Sequence, residues 1–168
     1  VLAAAGLAAA AAGFLAGPMR LGEQKGEGGR ALQSEGLVDL DGKPRKLAEW
    51  RGRVLVCNFW ATWCAPCREE IPLLIAARDR YGASGVEIVG IAIDSAPKVI
   101  EFTRTLKISY PLLLAEVSGL DLMRRLGNSS GGLPYTVFFD RQGEPAYRKL
   151  GALKQGDLDA ILSPMTRT

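Results

Sequence analysis

The apolar positions of the chain fall into two rhythms. Val54-Leu55-Val56-Cys57-Asn58-Phe59-Trp60 is apolar at nearly every position, the pattern of a strand covered on both faces in the middle of a sheet. Residues 65–81 then carry Ile71, Leu74, Ile75 and Arg78 at helical spacing, with Pro72 inside the run, which predicts a helix with a kink. Val86 to Ile93 is a second doubly buried strand. Asp94-Ser95-Ala96-Pro97 opens a second helix that runs to Leu106, with Ser95 as its cap.

Shorter segments flank this middle. Leu37 to Leu40 followed by Asp41-Gly42 reads as a strand and tight turn, and Leu47 to Trp50 as a single helical turn. Pro111 to Ala115 and Gly119 to Leu126 read as a short strand and a short helix. Tyr135 to Asp140 and Pro145 to Leu150 form a hairpin around Arg141-Gln142-Gly143, and Lys154 to Leu162 is a closing helix. Strands alternating with helices early and pairing as a hairpin late give an α/β chain. Its central mixed β-sheet is flanked by helices on both faces and carries an N-terminal β-hairpin extension. No internal repeat is present.

Ahead of the domain, residues 1–19 carry no charge and are rich in alanine. Three readings compete: an N-terminal membrane anchor, the apolar part of a signal segment, or an Ala-rich soluble helix. Either of the first two sends the remainder out of the cytosol. Residues 20–34 mix glycine with charges and lack an apolar period, the composition of a flexible linker. The folded domain is expected over residues 35–168.

Composition narrows the chemistry. With 168 residues, 48% hydrophobic and 23% charged, the chain can bury a core without disulfide staples. A net charge of +3 with both signs scattered argues against a nucleic-acid partner. There is no histidine, which removes Ser-His-Asp and Cys-His catalysis, the HExxH zinc helix and histidine-ligated haem or copper. Cysteines, carboxylates, Lys, Tyr and the backbone remain.

Trp63-Cys64-Ala65-Pro66-Cys67 lies where the first buried strand gives way to the helix. Cys64 would stand at the helix N-terminus, where unpaired N–H groups and the positive end of the dipole stabilise a thiolate; such sites lower a thiol from about 8.5 to roughly 3.5–7.5. Cys67, one turn on, is within reach of Cys64 and more shielded. The first sulfur attacks and the second resolves. Pro66 falls in the first turn, where its missing N–H costs nothing. A structural zinc site would need four ligands, and the chain offers one further cysteine and no histidine, so no metal is expected. Haem attachment needs histidine after the second cysteine, where Arg68 stands. An inert structural disulfide remains the alternative. Cys57, inside the apolar strand, reads as an inert core thiol, with an exchange partner as the minority reading.

The segment Phe59-Trp60-Ala61-Thr62-Trp63-Cys64-Ala65-Pro66-Cys67-Arg68-Glu69-Glu70-Ile71-Pro72 resembles the active-site segment of the thioredoxin-like, membrane-tethered disulfide reductases of the TlpA/ResA/CcmG type. The resemblance extends over most of residues 36–163, including Asp41-Gly42-Lys43 before the motif and Gly132-Leu133-Pro134 after it. It implies a thioredoxin fold with a cis-proline loop facing the two cysteines, and Pro134 matches that proline. Leu133 would then present its backbone to an extended substrate, with Trp63, Ala65 and Pro66 around it. Residues alone would allow an ordinary trans proline. Tyr135 departs from the small hydroxyl residue usual in the family, which bears on the shape of the groove. In similar proteins the residue matching Glu70 tunes the cysteines and moves protons; the bland alternative is a solvated helix glutamate. Asn58 stands where cytosolic thioredoxins carry a buried aspartate.

The function expected is therefore extracytoplasmic thiol:disulfide exchange on a disulfide-containing protein substrate, with the Cys64–Cys67 pair as redox centre and no other cofactor. The resemblance places the protein on the periplasmic side of a bacterial inner membrane, held through the N-terminal segment or released by cleavage. A membrane disulfide-transfer protein would return electrons to it. Ala65-Pro66 adds no charge for extra thiolate stabilisation, which favours a reductase near about −270 mV over an oxidant near about −120 mV. A peroxidase of the peroxiredoxin type is the alternative, but its Pro-x-x-x-Thr-x-x-Cys pattern needs Pro at 57 and Thr at 61, where Cys57 and Ala61 stand. A copper-delivery module would want wider cysteine spacing and a histidine.

Overall fold

A computed structural model describes residues 37–167. The expected segments at 1–19 and 20–34 lie outside the described residues, as do the first two residues of the expected domain. Among the described residues, no helix is long and apolar enough to cross a membrane.

Among the described residues, seven strands form one sheet in the order β2-β1-β5-β4-β3-β6-β7. They are β1 (Leu37–Asp39), β2 (Pro44–Arg45), β3 (Val54–Trp60), β4 (Val86–Ala92), β5 (Leu112–Leu114), β6 (Tyr135–Phe139) and β7 (Pro145–Leu150). The described residues also form four α-helices, α1 (Ala65–Tyr81), α2 (Ala96–Leu106), α3 (Glu116–Arg125) and α4 (Gln155–Thr166). A 3₁₀ turn at Leu47–Trp50 matches the single turn expected there. The β1–β2 hairpin closes because the Asp39 carboxylate accepts the Asp41 and Lys43 N–H groups, while Gly42 takes a φ of 80° that a side chain would oppose.

Every residue of β3 and β4 is buried, as their apolar runs, interrupted only by Asn58 and Glu87, imply. The two pair in parallel, with Asn58 opposite Gly90, and β3 pairs antiparallel with β6, with Asn58 opposite Thr136. Crossovers through α1 and α2 explain why β3, β4 and β5 run parallel. The thioredoxin-like α/β fold expected from the sequence is present.

Alternation along β3 divides the core. Val54, Val56 and Trp60 pack with Cys64, Cys67, Ile71 and Leu74 of the α1 region, Val99 of α2 and Leu158 and Leu162 of α4. Leu55, Cys57 and Phe59 pack on the other side with Leu122 and Met123 of α3, Leu47, Tyr135 and Phe139. Helix α1 buries Cys67, Glu70, Ile71, Leu74, Ala77 and Tyr81 along one stripe and leaves Pro72 exposed, so the backbone bond that proline removes lies on the solvent side. Two local expectations change. Ser95 occupies the N-cap of α2, but its side chain makes no capping bond; its N–H instead donates to Asp94 Oδ1 at 2.8 Å. Helix α4 continues past Leu162 through Pro164.

Candidate active site

The strand-to-helix turn after β3 is held from two directions. Ile93 N–H donates to Trp60 O at 2.8 Å, and Cys64 N–H to Ala61 O at 3.2 Å. Between them, Thr62 donates both its N–H (3.2 Å) and its hydroxyl (2.5 Å) to Asp94 Oδ2. Asp94 thus clasps the turn from the end of β4. Burial works to raise its proton affinity, but the Thr62 hydroxyl, the Ser95 and Thr62 N–H groups and Lys98 outweigh it and hold the carboxyl below its ordinary value. This clasp was not read from the sequence, because its partners stand 32 residues apart.

On that turn Cys64 is the N-cap of α1, and its sulfur accepts the Cys67 N–H at 3.3 Å. The two cysteines form a disulfide with an S–S length of 2.03 Å and a Cα separation of 5.3 Å. Cys64 retains 6% exposure and Cys67 none. Trp63, 66% exposed, stands beside Cys64, and Ala65 and Pro66 are exposed on the first turn of the helix. The accessible side of the disulfide is therefore the Cys64 side, bordered by apolar groups.

The Leu133–Pro134 bond is cis. Pro134 is buried and its carbonyl accepts the Gly151 N–H at 2.8 Å, which ties the loop to the end of β7. Leu133 is half-buried and packs against both core clusters, including the one that holds Cys64 and Cys67. Asn128, also buried, braces the preceding loop. Its amide donates to Gly132 O at 2.8 Å, and its Oδ1 accepts the Ser130 hydroxyl and the Gly131 N–H. The sequence reading passed over Asn128, whose only signal is its place in an Asn-Ser-Ser-Gly-Gly turn.

Tyr135 does not shape the rim of the disulfide. Its ring lies on the other face of the sheet, 6.0 Å from Phe59, and its hydroxyl donates to Leu126 O at 2.6 Å. The hydroxyl residue on the α1 face is Thr136.

Glu70 is 2% exposed, which removes the solvated-helix alternative. Its Oε1 accepts from Asn58 Nδ2 at 2.7 Å and its Oε2 from Leu153 N–H at 2.7 Å. Burial raises its proton affinity above the ordinary glutamate value, opposed by the Leu153 N–H and the Asn58 amide. The field of this carboxyl reaches Tyr110, whose phenol is pushed upward by burial and then by the Glu70 charge. Asn58 Oδ1, Trp60 Nε1 and Tyr110 Oη are buried without a hydrogen-bond partner among the described residues. Cys57 points to the opposite cluster and is fully buried, which drives its thiol upward. Among the described residues no cluster of His, Cys, Asp and Glu is arranged to hold a metal.

Comparison with known proteins agrees with this chemistry. The redoxin family model matches residues 25–162. The chain is 26% identical over 145 residues to the thiol-disulfide oxidoreductase ResA of Bacillus thuringiensis subsp. konkukian, covering 86% of this chain and 82% of the relative. It is 29% identical over 129 residues to ResA of Geobacillus kaustophilus, covering 75% and 71%. A thiol:disulfide interchange protein of the thioredoxin family from Chlorobium tepidum superposes with a TM-score of 0.67 at 32% identity, over 79% of this chain and 92% of that one. These relatives are named for disulfide exchange, and the peroxidase alternative finds no comparable support. The chain belongs to the redoxin family and is a thiol-disulfide oxidoreductase similar to ResA.

Proposed function

We propose that this oxidoreductase reduces disulfides of protein substrates outside the cytosol, with Cys64 as nucleophile and Cys67 as resolving thiol. The observation that carries the assignment is the asymmetry of the pair: Cys64 caps the helix and keeps the pair's only exposure, 6%, while Cys67 is sealed. In the reduced enzyme the Cys64 thiolate attacks one sulfur of a substrate disulfide, forming a mixed disulfide and expelling one substrate thiolate. Cys67 then loses its proton and attacks Cys64 Sγ. The second substrate sulfur leaves and is protonated, two electrons have passed to substrate, and the enzyme holds the Cys64–Cys67 disulfide.

Glu70, one turn after Cys67 on the same buried stripe, is the group proposed to accept the Cys67 proton and return it. Trp63, Ala65, Pro66, Leu133 and Pro134 are proposed to receive an extended substrate segment, since backbone beside a cis-proline can pair in strand fashion. Re-reduction requires a dithiol donor, proposed to be a membrane disulfide-transfer protein. The uncharged run at residues 1–19 and the family resemblance support an extracytoplasmic location, with that run as anchor or signal segment.

The test is to express the full chain with Cys67→Ser, quench cells in acid and identify what is linked to Cys64, because an enzyme without its resolving sulfur cannot release its partner. Protein adducts through Cys64 are expected, and their absence would remove protein disulfides as substrate. Equilibration of the wild-type pair with glutathione should give a potential below about −150 mV, and a higher value would reverse the direction of electron flow.

A further inference from the structure

Two donors hold Glu70, one on each oxygen, and a proton can join the carboxyl on the side of either donor only if that donor gives way. Asn58 Nδ2 points at Oε1, and the Leu153 N–H points at Oε2, both at 2.7 Å. A proton placed on either oxygen toward its partner would set two donors head to head. The Leu153 N–H is backbone and cannot turn. The Asn58 amide can, by half a rotation about its terminal torsion.

The surroundings of Asn58 fit such a turn. Its Nδ2 now also donates to Thr136 Oγ1 at 3.0 Å, while its Oδ1 is buried with no partner among the described residues. A hydroxyl accepts or donates equally well. In the turned state Oδ1 would accept from a protonated Glu70 Oε1 and from the Thr136 hydroxyl, and Nδ2 would take the unpartnered place. Each orientation keeps two hydrogen bonds and leaves one amide atom unsatisfied, so neither is excluded by the count of bonds.

We propose that the Asn58 side-chain amide turns over when Glu70 takes up a proton, which makes Asn58 a positioning residue that keeps Glu70 hydrogen-bonded in both protonation states. The inference deepens the reading of Glu70 as proton carrier and rests on it for its functional consequence. Other groups near the carboxyl are few. Tyr110, from the segment entering β5, is ionisable but pushed further toward its neutral form. Cys67 shares the helix stripe and does not titrate while in the disulfide. Thr136 from β6 and Leu153 from the segment before α4 carry no charge. On α4, Asp159 is engaged with Arg80 and Tyr81, near the far end of α1.

The oxidised full chain, followed by NMR across pH, tests this without interference from the thiols of the pair. Above the Glu70 midpoint, read from its side-chain carboxyl carbon, the Asn58 side-chain protons should show a cross-relaxation peak to the Thr136 γ-methyl; below it, the peak should vanish with the same midpoint. Glu70→Gln imitates the protonated acid and should show the low-pH pattern at every pH. Asn58→Leu, close in volume, should raise the proton affinity of Glu70 roughly tenfold, because the ionised form loses a charge-assisted bond and the protonated form only a weaker neutral one. A peak that persists on both sides of the midpoint, a Glu70→Gln protein with the high-pH pattern, or an unmoved Glu70 titration in Asn58→Leu would each overturn the proposal. If the amide turns as described but exchange rates ignore the Glu70 midpoint, the amide proposal stands and the proton-carrier reading falls.

Discussion

The two faces of β3 are built to different rules. On the α3 face, Leu55, Cys57 and Phe59 meet an apolar layer, and the buried polar groups there, Tyr135 and Asn128, are hydrogen-bonded. On the α1 face, Asn58 and Trp60 meet Glu70, Thr136 and Tyr110, and three buried polar atoms go without partners. A buried polar atom left unpaired costs about 1–3 kcal/mol. Three of the four such atoms among the described residues lie on the side that carries the disulfide, where local departures from good packing are expected in a functional protein; the fourth, Arg53 Nε, lies just before β3, on a guanidinium that donates to Gly82 O and Val86 O. The two free or exchangeable sulfur positions follow the same division: Cys57 is fixed in a dry layer, and Cys64 stands at a helix end with solvent beside it.

The two faces differ most at their cysteines. Cys64→Ser should abolish insulin-disulfide reduction, whereas Cys57→Ala should retain it; loss in the second variant, with its fold intact by circular dichroism, would tie the apolar face to the chemistry. Next in size, Phe59→Ala should cost about 3–5 kcal/mol in denaturant unfolding, since a large side chain is removed from a closed layer. Its glutathione-equilibrated potential should stay at the wild-type value, because Phe59 does not face the pair.

Asp94→Ala removes the acceptor for both Thr62 donors and should cost about 1–3 kcal/mol together with slower exchange at Cys64. The two carboxylates also give opposite pH signs. Asp94 sits below its ordinary value, so its contribution to stability is present above the unfolded pKa, about 3.9, and disappears as pH falls through the lower folded value. Glu70 sits above its own. The unfolded chain releases that proton first, so stability is greatest below the unfolded pKa, about 4.3, and declines as pH rises through the folded value. The smallest expected effect is therefore that Glu70→Gln flattens the stability profile above that point and changes the pH dependence of exchange more than stability itself. An unchanged exchange profile would return Glu70 to a structural role.

Which parts of this were legible in the sequence follows from how local each signal is. The Cys64–Cys67 pair, the cap position, Pro66 in the first turn and the doubly buried β3 are set by neighbours within a few residues, and each is where the pattern placed it. The cis bond before Pro134 came from family resemblance, because the residues themselves are equally compatible with trans. What escaped was long-range. The contact of Glu70 with Leu153 spans 83 positions and that of Asn58 with Thr136 spans 78. Tyr135 was associated with the rim because it follows Pro134, yet one step along a strand reverses the face, and Thr136 rather than Tyr135 reaches the α1 side. Ser95 had the right composition for a cap, but Asp94 lies next to it and takes its N–H.

The two faces of β3, together with the N-cap of α1, give three cysteines three reactivities. The direct measurement is alkylation of the reduced protein at neutral pH with limiting iodoacetamide, each cysteine followed by peptide mass spectrometry over time. Cys64 should be labelled first, Cys67 more slowly, and Cys57 only after unfolding. Labelling of Cys67 ahead of Cys64, or of Cys57 in the folded protein, would contradict that order.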